Sequence, residues 1–331
     1  MTAVLAAHAD WSVDPRKRFL AVAARRDGKW ILNQPEPVGE PRNLLARLID
    51  KAGGDPVAFG ADFAIGVPRA FAKSKGISDF LGWLRGLTED EQIFQVCNSL
   101  EEASLDRPFY PRASVKGYGH MARLADRLGF SKTDDLRRYV DFPTSRRRGG
   151  SPLFWTLGPN QCGKATLSAW RECLLPAFVQ NLSVMVWPYA GNFGDLLEPG
   201  NIVVAETYPA EALAQFGLTL VGSKRRQSDR AALRKNLMET IDRFGVVPSH
   251  HLVREIADGF GGRRDGEDRF DSVLGVLNVI AVVEGAPDGV PTDPLIRTVE
   301  GWVLGQIDAP LRSTRSVNHR VRLGTPPQIS R

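Results

Sequence analysis

The sequence predicts an α/β fold, a mixed sheet flanked by helices, and three observations carry that reading. Short runs of branched or small apolar residues recur along the chain, as buried strands do. Stretches with helical spacing separate several of them. Asp27-Gly28 lies between two such runs and is a hairpin signal.

In chain order, Ala3 to Asp10 can form a first buried strand that ends on an acid. Arg18 to Arg26 and Trp30 to Gln34 read as the two hairpin strands. Asn43 to Lys51 has Leu44, Leu45, Leu48 and Ile49 on one helical face, and Gly53-Gly54 stops it. Val57 to Val67 is the next strand and carries Asp62. The region 69–200 holds helical patterns, such as Ser78 to Leu87 and Gly119 to Leu128. It also holds loop material at Asp106 to Ala113 and Ser145 to Gly150. It reads as a large, mainly helical insertion between core strands. The core then comprises 1–68 and 201–308, and a basic tail covers 309–331.

The stretch NIVVAETYPAEA, Asn201 to Ala212, is central to the reading. Ile202, Val203 and Val204 lead into Glu206, and Pro209 suits the first turn of a following helix. Glu206 is therefore expected at the C-terminal end of a central strand, where α/β sheets gather ligands. Ser223 to Gly245 opens with Lys224, Arg225 and Arg226 and continues with helical spacing. Gly266 to Gly285 is acidic at its start, then apolar, and too long for a strand, so it reads as a buried helix.

Composition narrows the function classes. Hydrophobic residues make up 43% and charged residues 24% of 331 residues, as in soluble globular proteins. No run approaches the ~18 apolar residues of a membrane helix. The first residues lack a basic n-region, so no signal peptide is expected. Cys97, Cys162 and Cys173 lack metal-ligand spacing and read as free thiols of a cytoplasmic protein. The net charge of +5 is matched by five arginines after Ala309 (Arg312, Arg315, Arg320, Arg322 and Arg331), so the body is neutral.

Acids sit at several expected element ends: Asp10, Asp62, Glu206 and the Asp268/Asp271 pair, three apart on one helix face. Clustered buried carboxylates are costly unless cations neutralise them. Oxygen ligands suit Mg²⁺ or Mn²⁺, and two such ions about 4 Å apart serve displacement at phosphorus. The expected metal ligands are Asp10, Asp62, Glu206, Asp268 and Asp271, with Asp10, Asp62, Glu206 and Asp271 catalytic.

Several motifs are similar to those of the "domain of unknown function 429" family, whose members are inferred to be nucleases with a ribonuclease-H-like fold. The carriers are GADFAIGVPRAFA (Gly60 to Ala72), PLFWTLGPNQCGKATLSAW (Pro152 to Trp170), VVAETYPAEA (Val203 to Ala212), SKRRQSDR (Ser223 to Arg230), DGEDRFDSVLG (Asp265 to Gly275) and EGWVLGQ (Glu300 to Gln306). The resemblance implies three antiparallel strands, a helix, a strand, then further strands and helices. It implies a divalent-metal-dependent nuclease. Asp10 takes the first-strand position, Asp62 the strand-four position, and Asp268/Asp271 a D-x-x-D similar to that of Holliday-junction resolvases. The family's proline after the strand-four aspartate is replaced by Phe63-Ala64.

Two alternatives compete. GPNQCGKA, Gly158 to Ala165, nearly matches the phosphate loop of NTPases, but Ala165 stands where Ser or Thr should hold Mg²⁺ and Thr166 comes one place late. A non-catalytic module on the same fold would bind nucleic acid or protein. Lys164, Lys224, Arg225 and Arg226 are the expected phosphate contacts, with nucleic acid as partner and no membrane.

Overall fold

The structure, a computed structural model, describes residues 4–116, 118–158 and 162–311. The tail arginines and residues 159–161 of the glycine loop lie outside the described residues. The strands are β1 (Leu5–Asp10), β2 (Phe19–Arg26), β3 (Lys29–Leu32), β4 (Glu36–Pro37), β5 (Val57–Ala61), β6 (Val184–Val186), β7 (Ile202–Glu206) and β8 (Val246–Pro248). They form one sheet in the order β6-β7-β5-β1-β2-β3-β8, with β4 beside β2. β1, β5, β7 and β6 run parallel, β2 is antiparallel to β1 and β3, and β8 is parallel to β3. The α/β class with a mixed sheet and flanking helices is therefore observed.

The helices are α1 (Leu44–Ala52), α2 (Arg69–Lys75), α3 (Phe80–Arg85), α4 (His120–Arg127), α5 (Gly163–Ala169), α6 (Leu175–Val179), α7 (Pro209–Phe216), α8 (Gln227–Ala232), α9 (Arg234–Arg243), α10 (His250–Ala257) and α11 (Gly266–Val283). A π-helical turn, Trp170–Leu174, joins α5 to α6. Strand alternation splits the core into two layers. Leu5, Ala7 and Ala9 of β1 face one cluster, with Leu44 of α1 and Phe71 of α2. Ala6 faces the other, with Ala212 of α7, Leu237 of α9 and Val273 to Val282 of α11.

Local signals explain the elements that were legible. Asp27 and Gly28 both take positive φ, 49° and 77°, as a tight hairpin turn requires. Gly53, at φ 62°, closes α1 in the left-handed region. α11 is buried from Phe270 to Val282. A helix apolar on all sides belongs in a core, so its valines do not make it a strand. Two glycines let it lie close to the sheet. A Cβ at Gly275 would enter the His8 ring, and one at Gly60 would stand 2.7 Å from Val279 Cγ2.

Several expectations are corrected. β5 ends at Ala61, not Val67, because the chain then turns to give the Ala64 and Ile65 amides to Thr166 Oγ1 and Glu206 Oε2. In the middle region Trp155 makes an isolated bridge to Tyr110. The run from Ser223 is two helices, α8 and α9, broken at Leu233. Between β5 and β7 the chain forms short helices and also β6, which extends the sheet beyond β7. Among the described residues no helix is long and apolar enough to cross a membrane.

Candidate active site

Strand parity decides which acids meet. Ala9 pairs with Ala61, and Ala61 pairs with Glu206, in a continuous parallel register. Ala9 and Ala61 belong to the α1 layer. Asp10, and Asp62 one place past Ala61, therefore turn to the opposite layer, where α11 packs. The first turns of α11 bring Asp268 and Asp271 to the same place. Glu206, in register with Ala61, turns to the other side.

The four aspartates feel one another. Burial pushes Asp10 well above the usual carboxylate range, and Asp62, Asp271 and Asp268 add to that, while Lys224 opposes it. Burial pushes Asp62 up to about 7, against the pull of the Trp11 amide, which donates to Asp62 Oδ1 at 2.6 Å. The Asp10 side chain also pulls Asp62 down, while the Asp271 charge pushes it up. Burial likewise pushes Asp268 up to about 7, with Lys17 opposing it. Asp271 is raised by burial and pulled back by Lys224, whose ammonium donates to Asp271 Oδ2. The common cause is desolvation of like charges at one point.

Among the described residues, no three His, Cys, Asp or Glu side chains stand in metal-holding geometry. Charge coupling acts across several ångströms, whereas Mg²⁺ needs oxygens at about 2.1 Å. The aspartates are thus neighbours in charge, not a formed coordination shell. Their chemistry nevertheless fits a hard cation. Asp271 Oδ1 and Asp268 Oδ2 are buried without a hydrogen-bond partner, and the available donors are carboxylate oxygens.

Glu206 lines a small cavity with Asp62 but is bonded to other partners, which corrects its assignment as a ligand and catalytic acid. Arg138 takes both of its oxygens, at 2.6 Å and 2.7 Å, and the Ile65 amide donates to Oε2 at 2.8 Å. Arg138 also bonds Asp141 Oδ1 at 2.8 Å. The carboxylate is thus saturated by a buried guanidinium. Thr207, next in the chain, lies on the α11 side, with its methyl beside Gly60. Its buried hydroxyl lacks a partner.

A cleft of about 510 Å³ opens beside the aspartates. Asp62, Asp271, Glu267 and Trp11 line one part of it, and Tyr208, Cys162 and Ala165 another. Lys224, Arg225 and Arg146 to Arg148 bring positive charge to it. Arg146 and Arg147 are engaged: Arg146 grips Asp308 at 2.7 Å and 2.6 Å, and Arg147 holds Glu211 at 2.9 Å and Gln306 at 2.6 Å. The basic loop is therefore a tied structure and not a freely solvated run. Arg225 stays 80% exposed, with Glu267 3.9 Å away, and Arg148 is exposed.

Two expected phosphate contacts lie elsewhere. Lys164, in the first turn of α5, donates to the Arg112 carbonyl at 2.8 Å and does not line the cleft. Arg226 donates to Asp229 at 2.6 Å and also lies off the cleft lining. Thr166, the late hydroxyl of the glycine loop, is buried and accepts the Ala64 amide at 3.1 Å.

Sequence reasoning missed Arg138 and Arg230. Arg138 and Asp141 stand three apart, a spacing that signals an ion pair only when a turn of helix is known to hold them. Arg230 closes the basic motif SKRRQSDR, yet it is buried and bonds the Gly259 and Gly261 carbonyls at 2.8 Å. All three cysteines are free.

Comparison of the chain with protein-family models, with curated proteins and with solved structures finds no match. The resemblance to the family of domain 429 accordingly rests on the quoted motifs alone.

Proposed function

We propose that the protein is a divalent-metal-dependent phosphodiesterase, a nuclease of ribonuclease-H-like fold related to the family of domain 429. The observation that carries this is the placement of Asp62 and Asp271 on one basic cleft, with Asp10 near enough to be raised by Asp62, Asp271 and Asp268. The order β1-β2-β3, the two-residue β4, α1 and β5 adds support, since apart from β4 it is the order the resemblance implies.

In this reading Asp10, Asp62, Asp268 and Asp271 would hold Mg²⁺ or Mn²⁺. Such an ion supplies an activated water and neutralises charge on the phosphoryl group. Arg225 and Arg148 position the phosphate backbone, a contact blind to base sequence. Trp11 and Tyr208 form flat walls of the same cleft. Lys224 neutralises Asp271 and keeps the cluster from repelling an anionic substrate.

The capture of Glu206 by Arg138 favours a second reading, a non-catalytic module on the same fold that binds nucleic acid or protein. The phosphate-loop NTPase is less well supported, because Thr166 is committed to the Ala64 amide and Glu206 to Arg138. Incubation with Mn²⁺ and single- and double-stranded DNA, RNA and a chromogenic phosphodiester separates the first two. The phosphodiesterase releases product, and Asp10→Asn or EDTA abolishes it. Binding without product, unchanged in Asp10→Asn, would favour the module.

A further inference from the structure

Lys224 is not a wandering surface lysine. It lies in the loop between α7 and α8, and that loop is fastened twice near its α8 end. Asp229 accepts the Ser223 amide at 2.8 Å. Arg230, the buried arginine of α8, donates to the Lys224 carbonyl and also to the Gly259 and Gly261 carbonyls. One guanidinium thus ties the backbone of Lys224 to the segment that leads into α11. The side chain is then directed at Asp271, whose Oδ2 accepts from the ammonium.

The charge environment matches this placement. Burial pulls the ammonium towards its neutral form, but Asp271, Glu267 and Asp10 outweigh it and hold the lysine charged. Lys224 in turn favours the ionised forms of Asp10, Asp62 and Asp271. Asp268 is served by Lys17. Asp271 is only 6% exposed, and its Oδ1 has no partner. With Oδ2 given to the ammonium, Asp271 Oδ1 and Asp268 Oδ2 are, among the described residues, the oxygens of the cluster that are fully buried and unpartnered, and both lie at the start of α11.

We propose that the Lys224 ammonium is a built-in cation of the aspartate cluster, so that the cluster takes one divalent ion and not two. This rests on the metal-binding reading above and narrows it. A second ion drawing on Asp271 Oδ2 would meet a positive charge held there by a buried scaffold. In a low-dielectric setting two cations competing for one oxygen repel strongly. The ammonium would do without dissociation what a second ion does in a two-metal site: neutralise one side of the cluster.

The test is calorimetric titration of Mn²⁺ into the full chain, wild type and Lys224→Met, with no substrate present. Methionine matches the lysine stem as far as Cε and removes its charge. The expected result is one Mn²⁺ per wild-type chain and two per Lys224→Met chain. Two ions on the wild type would overturn the proposal and leave the metal reading standing. One ion on both would overturn it too, since loss of the ammonium would then recruit nothing. No binding to either would remove the metal reading along with it. Thermal melts in EDTA establish that the variant is folded. If Lys224→Met does not fold, the wild-type stoichiometry decides alone, and Lys224→Gln gives the second measurement.

Discussion

Arg138 grips both carboxylate oxygens of Glu206, at 2.6 Å and 2.7 Å, and both side chains are buried. Asp141 takes the remaining face of the same guanidinium. The arrangement joins the end of β7 to the segment after α4. Removing one member of such a network leaves a charge without its partner. Arg138→Met should therefore destabilise the protein by about 3–5 kcal/mol, read from chemical denaturation. The double variant Arg138→Met/Glu206→Gln should recover part of that loss. Glu206→Gln alone should leave Mn²⁺ stoichiometry unchanged, because Glu206 stands on the other face of the sheet.

The aspartates make the metal-free protein sensitive to alkali. Their folded-state pKa values lie above the unfolded ones, so the folded state binds the extra protons. The stability they contribute is present at low pH and is lost as pH rises through their folded values, about 7 for Asp62 and Asp268. His8 acts in the opposite sense. Burial depresses it to about 3, so its contribution is complete above its unfolded pKa, near 6.5. The window free of His8 is thus roughly pH 6.5 to 8. Melting temperature in EDTA should fall across it, and Mn²⁺ or Asp10→Asn should flatten the slope.

Close approach of α11 to β1 depends on Gly275, because a Cβ there would enter the His8 ring. Gly275→Ala should cost about 1–3 kcal/mol by overpacking, despite the better helix propensity of alanine. Chemical denaturation gives the loss directly, and an unchanged denaturant slope would show that the folded state keeps its compactness.

The cations of the cleft should not be equivalent. Arg225 and Arg148 are exposed at or beside the cleft, whereas Lys164 is bonded to the Arg112 carbonyl away from it. Arg225→Ala and Arg148→Ala should each weaken binding of an oligonucleotide and lower the salt slope by about one. Lys164→Ala should change neither. Fluorescence anisotropy at several salt concentrations reads both quantities.

Much of the fold was legible because its signals are local. The Asp27-Gly28 turn, the Gly53 stop and the all-round apolar character of α11 each act within a few residues. β6 and β8 were not legible, since their three-residue strands gain their place only by pairing with β7 and β3, distant in the chain. The site was read in part. Asp10, Asp62, Asp268 and Asp271 announce themselves by sitting at element ends, but Glu206 does so equally. Only register separates them: one residue along a strand reverses the face, and pairing Glu206 with Ala61 sends it to Arg138. Lys224 and Arg226 are likewise two residues apart in one basic run, yet only the first meets Asp271, because Arg230 fastens the backbone there.

The central claim is that four aspartates form a cation site, and calorimetric titration of Mn²⁺ at neutral pH tests it most directly, on wild type and on Asp10→Asn/Asp271→Asn. The account predicts saturable binding to the wild type and none to the folded double variant. Absence of binding to a folded wild type, persisting with an oligonucleotide present, would contradict it.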